Sequence, residues 1–135
     1  MDLGLQNSVA VVTGGSDGIG KGAAITMAKE GARIAICARR PELLESAATE
    51  IRNASGNEVL AWPTDVTKPD ELMALFEKVM REFGRIDILV NNAGTSSAGS
   101  FGVQNDDIWQ ADLDLKLFGA IRCSRLAIPH MKAGG

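Results

Sequence analysis

The 135-residue sequence holds no tyrosine, one histidine and two cysteines. Without tyrosine, no phenol is available as a general acid or base. One histidine and two cysteines do not make up a four-ligand zinc site, and no metal is expected. Cys37 falls in a predicted strand and Cys123 in a predicted helix, so both read as buried, reduced thiols. Charge of one sign is not concentrated anywhere: the net charge is −3 and there is no basic block. That balance offers nothing to nucleic acid or to an anionic membrane surface. No apolar run approaches the ~18 residues that a membrane span needs. The start, Met1-Asp2-Leu3-Gly4, has neither the charged nor the apolar region of a secretory signal. The expected location is therefore cytoplasmic.

What is present is an ordinary globular composition, 45% hydrophobic and 23% charged, at a length that suits one domain. The chain is organised around Thr13-Gly14-Gly15-Ser16-Asp17-Gly18-Ile19-Gly20. This stretch follows an apolar run, Ser8 to Val12, that reads as a buried strand. It opens a run of helix formers, Lys21 to Glu30. A strand that enters a glycine-rich turn and leaves as a helix presents unpaired N–H groups and a partial positive charge, both suited to phosphate. Gly14 allows the tight turn, Gly18 lets the backbone approach a pyrophosphate, and Gly20 lets the helix sit close on the strand.

The rest of the chain alternates in the same way. Arg33 to Ala38 reads as a second strand, and Pro41 opens a helix continued by Glu42 to Asn53. Glu58 to Trp62 is a short third strand. Thr67 is placed to cap the next helix, with Pro69, Asp70 and Glu71 in its first turn. That helix carries Leu72, Leu75, Phe76, Val79, Met80 and Phe83 on one stripe, and Gly84 stops it. Ile86 to Val90 is a fourth strand, Thr95 to Val103 a loop of small residues, and Asp106 to Met131 one long helix. Continuously apolar strands alternating with helices predict a doubly wound α/β fold. All four strands should be parallel, in the order 3-2-1-4, with right-handed crossovers.

Taken together, the motifs resemble one family, the classical short-chain dehydrogenases/reductases. TGGSDGIG at 13–20 matches that family's T-G-x-x-x-G-x-G, Asp65-Val66 its D-V after the third strand, and Asn91-Asn92-Ala93-Gly94 its N-N-A-G after the fourth. Pro129-His130-Met131 matches the end of its long interface helix. The resemblance implies a Rossmann-type fold and hydride transfer between a nicotinamide cofactor and a small carbonyl or alcohol substrate. It places Gly14, Ser16, Asp17, Gly18, Ile19, Gly20, Asp65, Val66, Asn92, Ala93 and Gly94 around the cofactor, with the Asp65 carboxylate on the adenine amine. Asn91 and Asn92 can equally tie adjacent strands together. The family is cytosolic and usually dimeric or tetrameric.

An NAD site places an acid about 20 residues past the glycines, whereas an NADP site accommodates the 2′-phosphate with arginine. Ala38 stands where that acid would be, and Arg39 and Arg40 follow with guanidinium forks suited to phosphate. NADP is the expected cofactor, with NAD as the alternative. One departure points the other way: NADP-preferring relatives often carry a basic residue where Asp17 stands.

The family's catalysis uses a Ser and a Tyr-x-x-x-Lys located beyond the long helix. The sequence ends at Gly134-Gly135 with no tyrosine in it. A further family residue, an Asn in the long helix, falls at Lys116. This lysine either replaces the Asn in a water and proton relay, as a tentative catalytic residue, or is an ordinary surface lysine. The reading is that residues 1–135 are the cofactor-binding half of an NADP(H)-dependent oxidoreductase, truncated after the fourth strand and its following helix. The alternative is a non-catalytic dinucleotide-binding, sensor or oligomerisation module. The long helix, 106–131, carries apolar residues nearly all round, Leu113, Leu115, Leu117, Phe118, Ile121, Leu126 and Ile128 among them. Burial on two sides is therefore expected, and with it a homo-oligomer through this helix.

Overall fold

The computed structural model describes all 135 residues. Its elements run β1 (Val9–Thr13), α1 (Gly18–Lys29), β2 (Arg33–Ala38), α2 (Pro41–Ser55), β3 (Val59–Pro63), α3 (Pro69–Phe83) and β4 (Ile88–Val90). Then come α4 (Asp106–Leu113), a π-helical turn (Asp114–Phe118) and α5 (Gly119–Ala133). The four strands form one sheet in the order β3-β2-β1-β4, and every pairing is parallel. The expected Rossmann-type topology is therefore the observed one.

Strand residues alternate between faces, so one apolar strand feeds two cores. Val9 and Val11 of β1 pack with Ala35 and Cys37 against Leu72, Leu75, Phe76 and Val79 of α3 and Cys123 and Ala127 of α5. Ala10 and Val12 pack with Ile34 and Ile36 against Ala24 and Ala28 of α1 and Leu44, Ala48 and Ile51 of α2. The central strands β1 and β2 are thus buried on both faces, which explains their unbroken apolar runs. Gly56 and Gly84 end α2 and α3 in the left-handed conformation, at φ 73° and 75°.

Two local expectations around α3 and β4 are corrected. Thr67 does not cap α3: its hydroxyl and backbone N–H both donate to Asp65 Oδ1, at 2.6 and 3.0 Å. As a cap the Thr67 hydroxyl would accept from an α3 N–H; it is instead turned towards the Asp65 carboxylate as a donor in an Asx-type turn, and the N-cap of α3 is Lys68, with no side-chain cap hydrogen bond. The ladder of β4 begins at Ile88 rather than Ile86: Val9, opposite Asp87 in this register, gives its N–H to the Asp87 carboxylate instead of to a β4 carbonyl. Ile86 is buried nonetheless.

The long helix is not one α-helix. A π turn interrupts it, and the Gly119 N–H reaches the Asp114 carbonyl, five residues back. Nor is it buried all round. Gly119, Cys123 and Ala127 face the core, whereas Leu113, Leu117, Phe118, Ile121 and Ile128 are exposed. Its covered face packs on α3 and the sheet, and no element of this chain reaches the other.

Below the sheet, Asp87 joins β4 to β1. Its Oδ2 accepts from the Val9 N–H at 2.8 Å, and Arg85 donates to the same carboxylate at 2.6 Å. The Arg85 hydrogen bond, opposed by partial burial and aided by the Val9 amide, holds the Asp87 carboxyl below its ordinary value. A depressed folded-state value makes this contribution present above the unfolded carboxyl's value near 4 and lost as pH falls through the folded one. Asp87→Ala should lower stability by about 1–2 kcal/mol near neutral pH, after allowance for the partly exposed pair. The difference from the unsubstituted protein should shrink towards pH 3. Urea denaturation at the two pH values checks both statements.

Candidate functional site

The chain leaves β1 for β2 on one side of the sheet, and returns from β3 to β4 on the other. The carboxyl ends of β1 and β4 therefore diverge above the sheet, where open α/β sheets bind ligands. A cleft of about 1000 Å³ lies there. Its size is at the upper end of small-molecule sites.

The floor of the cleft is a clasp between the two strand ends. Thr13 Oγ1 accepts from the backbone N–H groups of Asn92 and Ala93, both at 3.0 Å. Asn92 Nδ2 donates back to the carbonyls of Thr13 and Gly14, at 3.2 and 3.1 Å. Of the two asparagines it is Asn92 that ties the strands. Asn91 is exposed and donates instead to Ser124 Oγ of α5, at 3.2 Å.

The glycines serve this clasp in different ways. Gly14 turns at φ +65°, and Gly18 at φ +56° faces open space with nothing within 4 Å of an added Cβ. Gly18 thus leaves the N-terminus of α1 accessible from the cleft. Gly20 lies behind the loop rather than in the cleft lining. A Cβ there would collide with Asn92 Nδ2 and the Gly14 carbonyl, so closeness to the clasp makes this position glycine. Gly15 carries no role that its sequence position reveals. Its N–H donates to the Cys37 carbonyl, and a Cβ would stand 2.6 Å from Ile36 Cγ2. Asp17 is the N-cap of α1, with Oδ1 accepting from the Gly18 N–H at 2.8 Å. An acid suits a helix N-terminus, which gives this departure from the family pattern a local cause.

Beyond the β2 end, Arg39 and Arg40 border the cleft and are exposed. Across from them lie Asp65 and Val66, after β3. Burial raises the Asp65 carboxyl, but the Thr67 hydroxyl and amide, with the charges of Lys68 and Arg39, outweigh it and hold the group below its ordinary value. At the β4 end the lining is Asn92, Ala93 and Gly94, followed by Thr95 and Ser97 of the loop and Asp112 and Leu115. Lys116 sits beside this end. Its Cε would lie 3.8 Å from a Cβ on Gly94, and its Nζ pairs with Asp112 Oδ1 at 2.9 Å. Ser97 donates to the same oxygen at 2.9 Å. Those two hydrogen bonds hold the Asp112 carboxyl below its ordinary value.

The structure therefore gathers Gly14, Ser16, Asp17, Gly18, Ile19, Arg39, Arg40, Asp65, Val66, Asn92, Ala93 and Gly94 around one cleft. Ser97 and Asp112 were missed. Asp112 could have been found, because it stands one helical turn before Lys116 with the opposite charge.

The sequence model described as short chain dehydrogenase matches residues 8–135. An uncharacterised oxidoreductase of Staphylococcus saprophyticus is 34% identical over 128 residues, covering 95% of this chain and 51% of that protein. An uncharacterised oxidoreductase of Bacillus subtilis is 35% identical, covering 98% of this chain and 49% of that protein. The chain spans about half the length of the curated relatives it matches. Among solved structures, L-sorbose reductase of Gluconobacter frateurii, complexed with NADPH and L-sorbose, is similar at a TM-score of 0.96 and 41% identity. That match covers 100% of this chain and 51% of the reductase.

Two glycines of α1 make a paired test of the clasp. Gly20→Ala should cost about 1–3 kcal/mol, the range for overpacking a filled site. Gly22→Ala, where an added Cβ meets nothing within 4 Å, should instead raise stability by up to about 1 kcal/mol. Thermal or urea denaturation of the two variants gives opposite signs if the clasp is as described.

Proposed function

This chain belongs to the short-chain dehydrogenase family, and on that premise we propose that residues 1–135 bind a nicotinamide dinucleotide, NADP(H) in preference to NAD(H), as the cofactor-binding portion of an oxidoreductase. The observation that carries the proposal is the open approach to the α1 N-terminus at Gly18, beside a paired arginine at the β2 end of the same cleft. The first suits a pyrophosphate and the second a ribose 2′-phosphate. The donor set fits the group at each step along the cleft. Gly14, Ser16, Gly18 and Ile19 would hold the pyrophosphate. Gly20 would keep the loop closed from behind, and Asp65 and Val66 would face the adenine. Asn92, Ala93 and Gly94 would leave room for the second ribose. The reductase from Gluconobacter frateurii holds NADPH, which supports a nicotinamide cofactor here. When bound, such a cofactor supplies or accepts hydride, and the family's substrates are small carbonyls or alcohols.

Arg39 carries the choice of dinucleotide, and the carboxylate of Asp17, at the α1 N-terminus, opposes it. Lys116 would act at the β4 end. No tyrosine is among the 135 residues, so none of them supplies the family's phenolic proton donor. A second reading, a non-catalytic dinucleotide-binding module, keeps the same cofactor site. The exposed leucines and isoleucines of α4 and α5 support self-association through residues 106–131.

Arg39→Ala should weaken NADPH binding by about tenfold or more and leave NADH binding nearly unchanged, as measured by titration calorimetry. Equal losses for both would remove Arg39 from 2′-phosphate recognition. For the helix face, sedimentation at micromolar concentration should show a dimer or larger species that Leu117→Lys disperses. A monomer before substitution would refute self-association.

A further inference from the structure

The β4 end of the cleft holds a charge pair, Asp112 with Lys116. Asp112 lines the cleft, and Lys116, outside the lining, is joined to it at 2.9 Å. We propose that this pair sets the protein's preference between the oxidised and reduced forms of the dinucleotide, Asp112 favouring the oxidised form and Lys116 limiting that bias. The inference rests on the dinucleotide reading above and adds a role for two residues of the same site.

The cleft is polar along its length. Arg39 and Asp65 lie on the β2–β3 side, and the α1 N-terminus lies at the centre. A dinucleotide with its pyrophosphate at the centre and its adenosine half beside Arg39 has only the β4 side left for the nicotinamide half. Gly94, Ser97, Asp112 and Leu115 line that side. The oxidised ring carries one positive charge that the reduced ring lacks, and the rest of the molecule is identically charged. A fixed charge at this end therefore acts on the difference between the two forms, and on little else.

Asp112 is such a fixed charge. It is held from the loop by Ser97 Oγ, at 2.9 Å, and from the π turn by Lys116 Nζ. Its side chain is 28% exposed against 45% for Lys116. The other acid of this segment, Asp114, accepts from Gln110 Nε2 at 2.9 Å and does not line the cleft. With the Asp112 carboxylate in the cleft lining and the Lys116 ammonium bound to it, removal of either partner leaves the other's charge uncompensated. The two removals must then act in opposite senses. A purely structural role would weaken both forms together, whichever partner is lost.

The test is the ratio of dissociation constants for NADP+ and NADPH, measured by calorimetry on the protein and on Lys116→Met, Lys116→Arg and Asp112→Asn. Lys116→Met should shift the ratio about three- to tenfold towards NADP+, and Asp112→Asn by a similar factor towards NADPH. Lys116→Arg keeps the charge and should keep the ratio. High salt should shrink both shifts, because the pair is partly exposed. Binding of 2′,5′-ADP, which contains only the adenosine half, should be unchanged in all variants. Shifts in the same direction, a ratio that stays within about twofold, or loss of 2′,5′-ADP binding in both charge-removing variants would overturn the proposal. If the unsubstituted protein binds 2′,5′-ADP and NADPH and the ratio still does not move, the dinucleotide reading stands and this inference fails. If it binds neither, both fall.

Discussion

The clasp between Thr13 and Asn92 is the constraint on which the rest of the site depends. β4 contributes only three residues to the sheet and pairs with β1 alone. Its upper end is held by side chains rather than by a longer ladder. One hydroxyl accepts two backbone amides, and one carboxamide returns two hydrogen bonds to backbone carbonyls. Each of these buried or half-buried polar groups would be costly to leave unpaired, so they lock one another's geometry. The lock fixes the distance between the glycine loop and the β4 end, which is the width of the cleft. It also explains why Gly20 admits no side chain while Gly22, two residues on and in the same helix, has open space.

Charge along the cleft follows the same division. The α1 N-terminus gives a positive end at the centre, and Asp17 caps it. Two arginines stand at one end, with a carboxylate across from them kept ionised by its own Asx-type turn. The Asp112–Lys116 pair stands at the other end. Four elements from separate parts of the chain therefore line one crevice. That is what a parallel sheet with crossovers on both faces does to the loops at its carboxyl end.

The π turn matters for the same reason. An uninterrupted α-helix from 106 onward would carry residues on α5 about 100° out of their present facing for each extra residue. The wider turn brings Gly119 against Val66, where an added Cβ would lie 3.3 Å from Val66 Cγ2. It also sets Lys116 over Gly94 while Cys123 and Ala127 keep their places in the core. Leu117, Ile121 and Ile128 on the far side of this segment stay exposed.

Much was legible in the sequence, because it depends on residues close together in the chain. The strand runs, the proline-started and glycine-ended helices, the glycine loop and the parallel order 3-2-1-4 all follow from local pattern and from the rule that crossovers are right-handed. Twelve of the expected cofactor-lining residues meet at one cleft because the motifs sit at strand ends, and strand ends converge in this topology. Competition between partners was not legible. Thr67 could accept from an α3 N–H or donate to the Asp65 carboxylate, and only the folded chain shows the second. Gly15 gave no sign of needing to be glycine until Ile36, from another strand, was placed above it. The break in the long helix, the exposure of its outer face and the binding of Asp112 to both a loop and the π turn depend on contacts between distant segments. Sequence determined which elements form and in what order they pack, since those rest on periodicity and backbone preference. Tertiary structure alone decided which polar group pairs with which, since that rests on distances that exist only after the chain has closed.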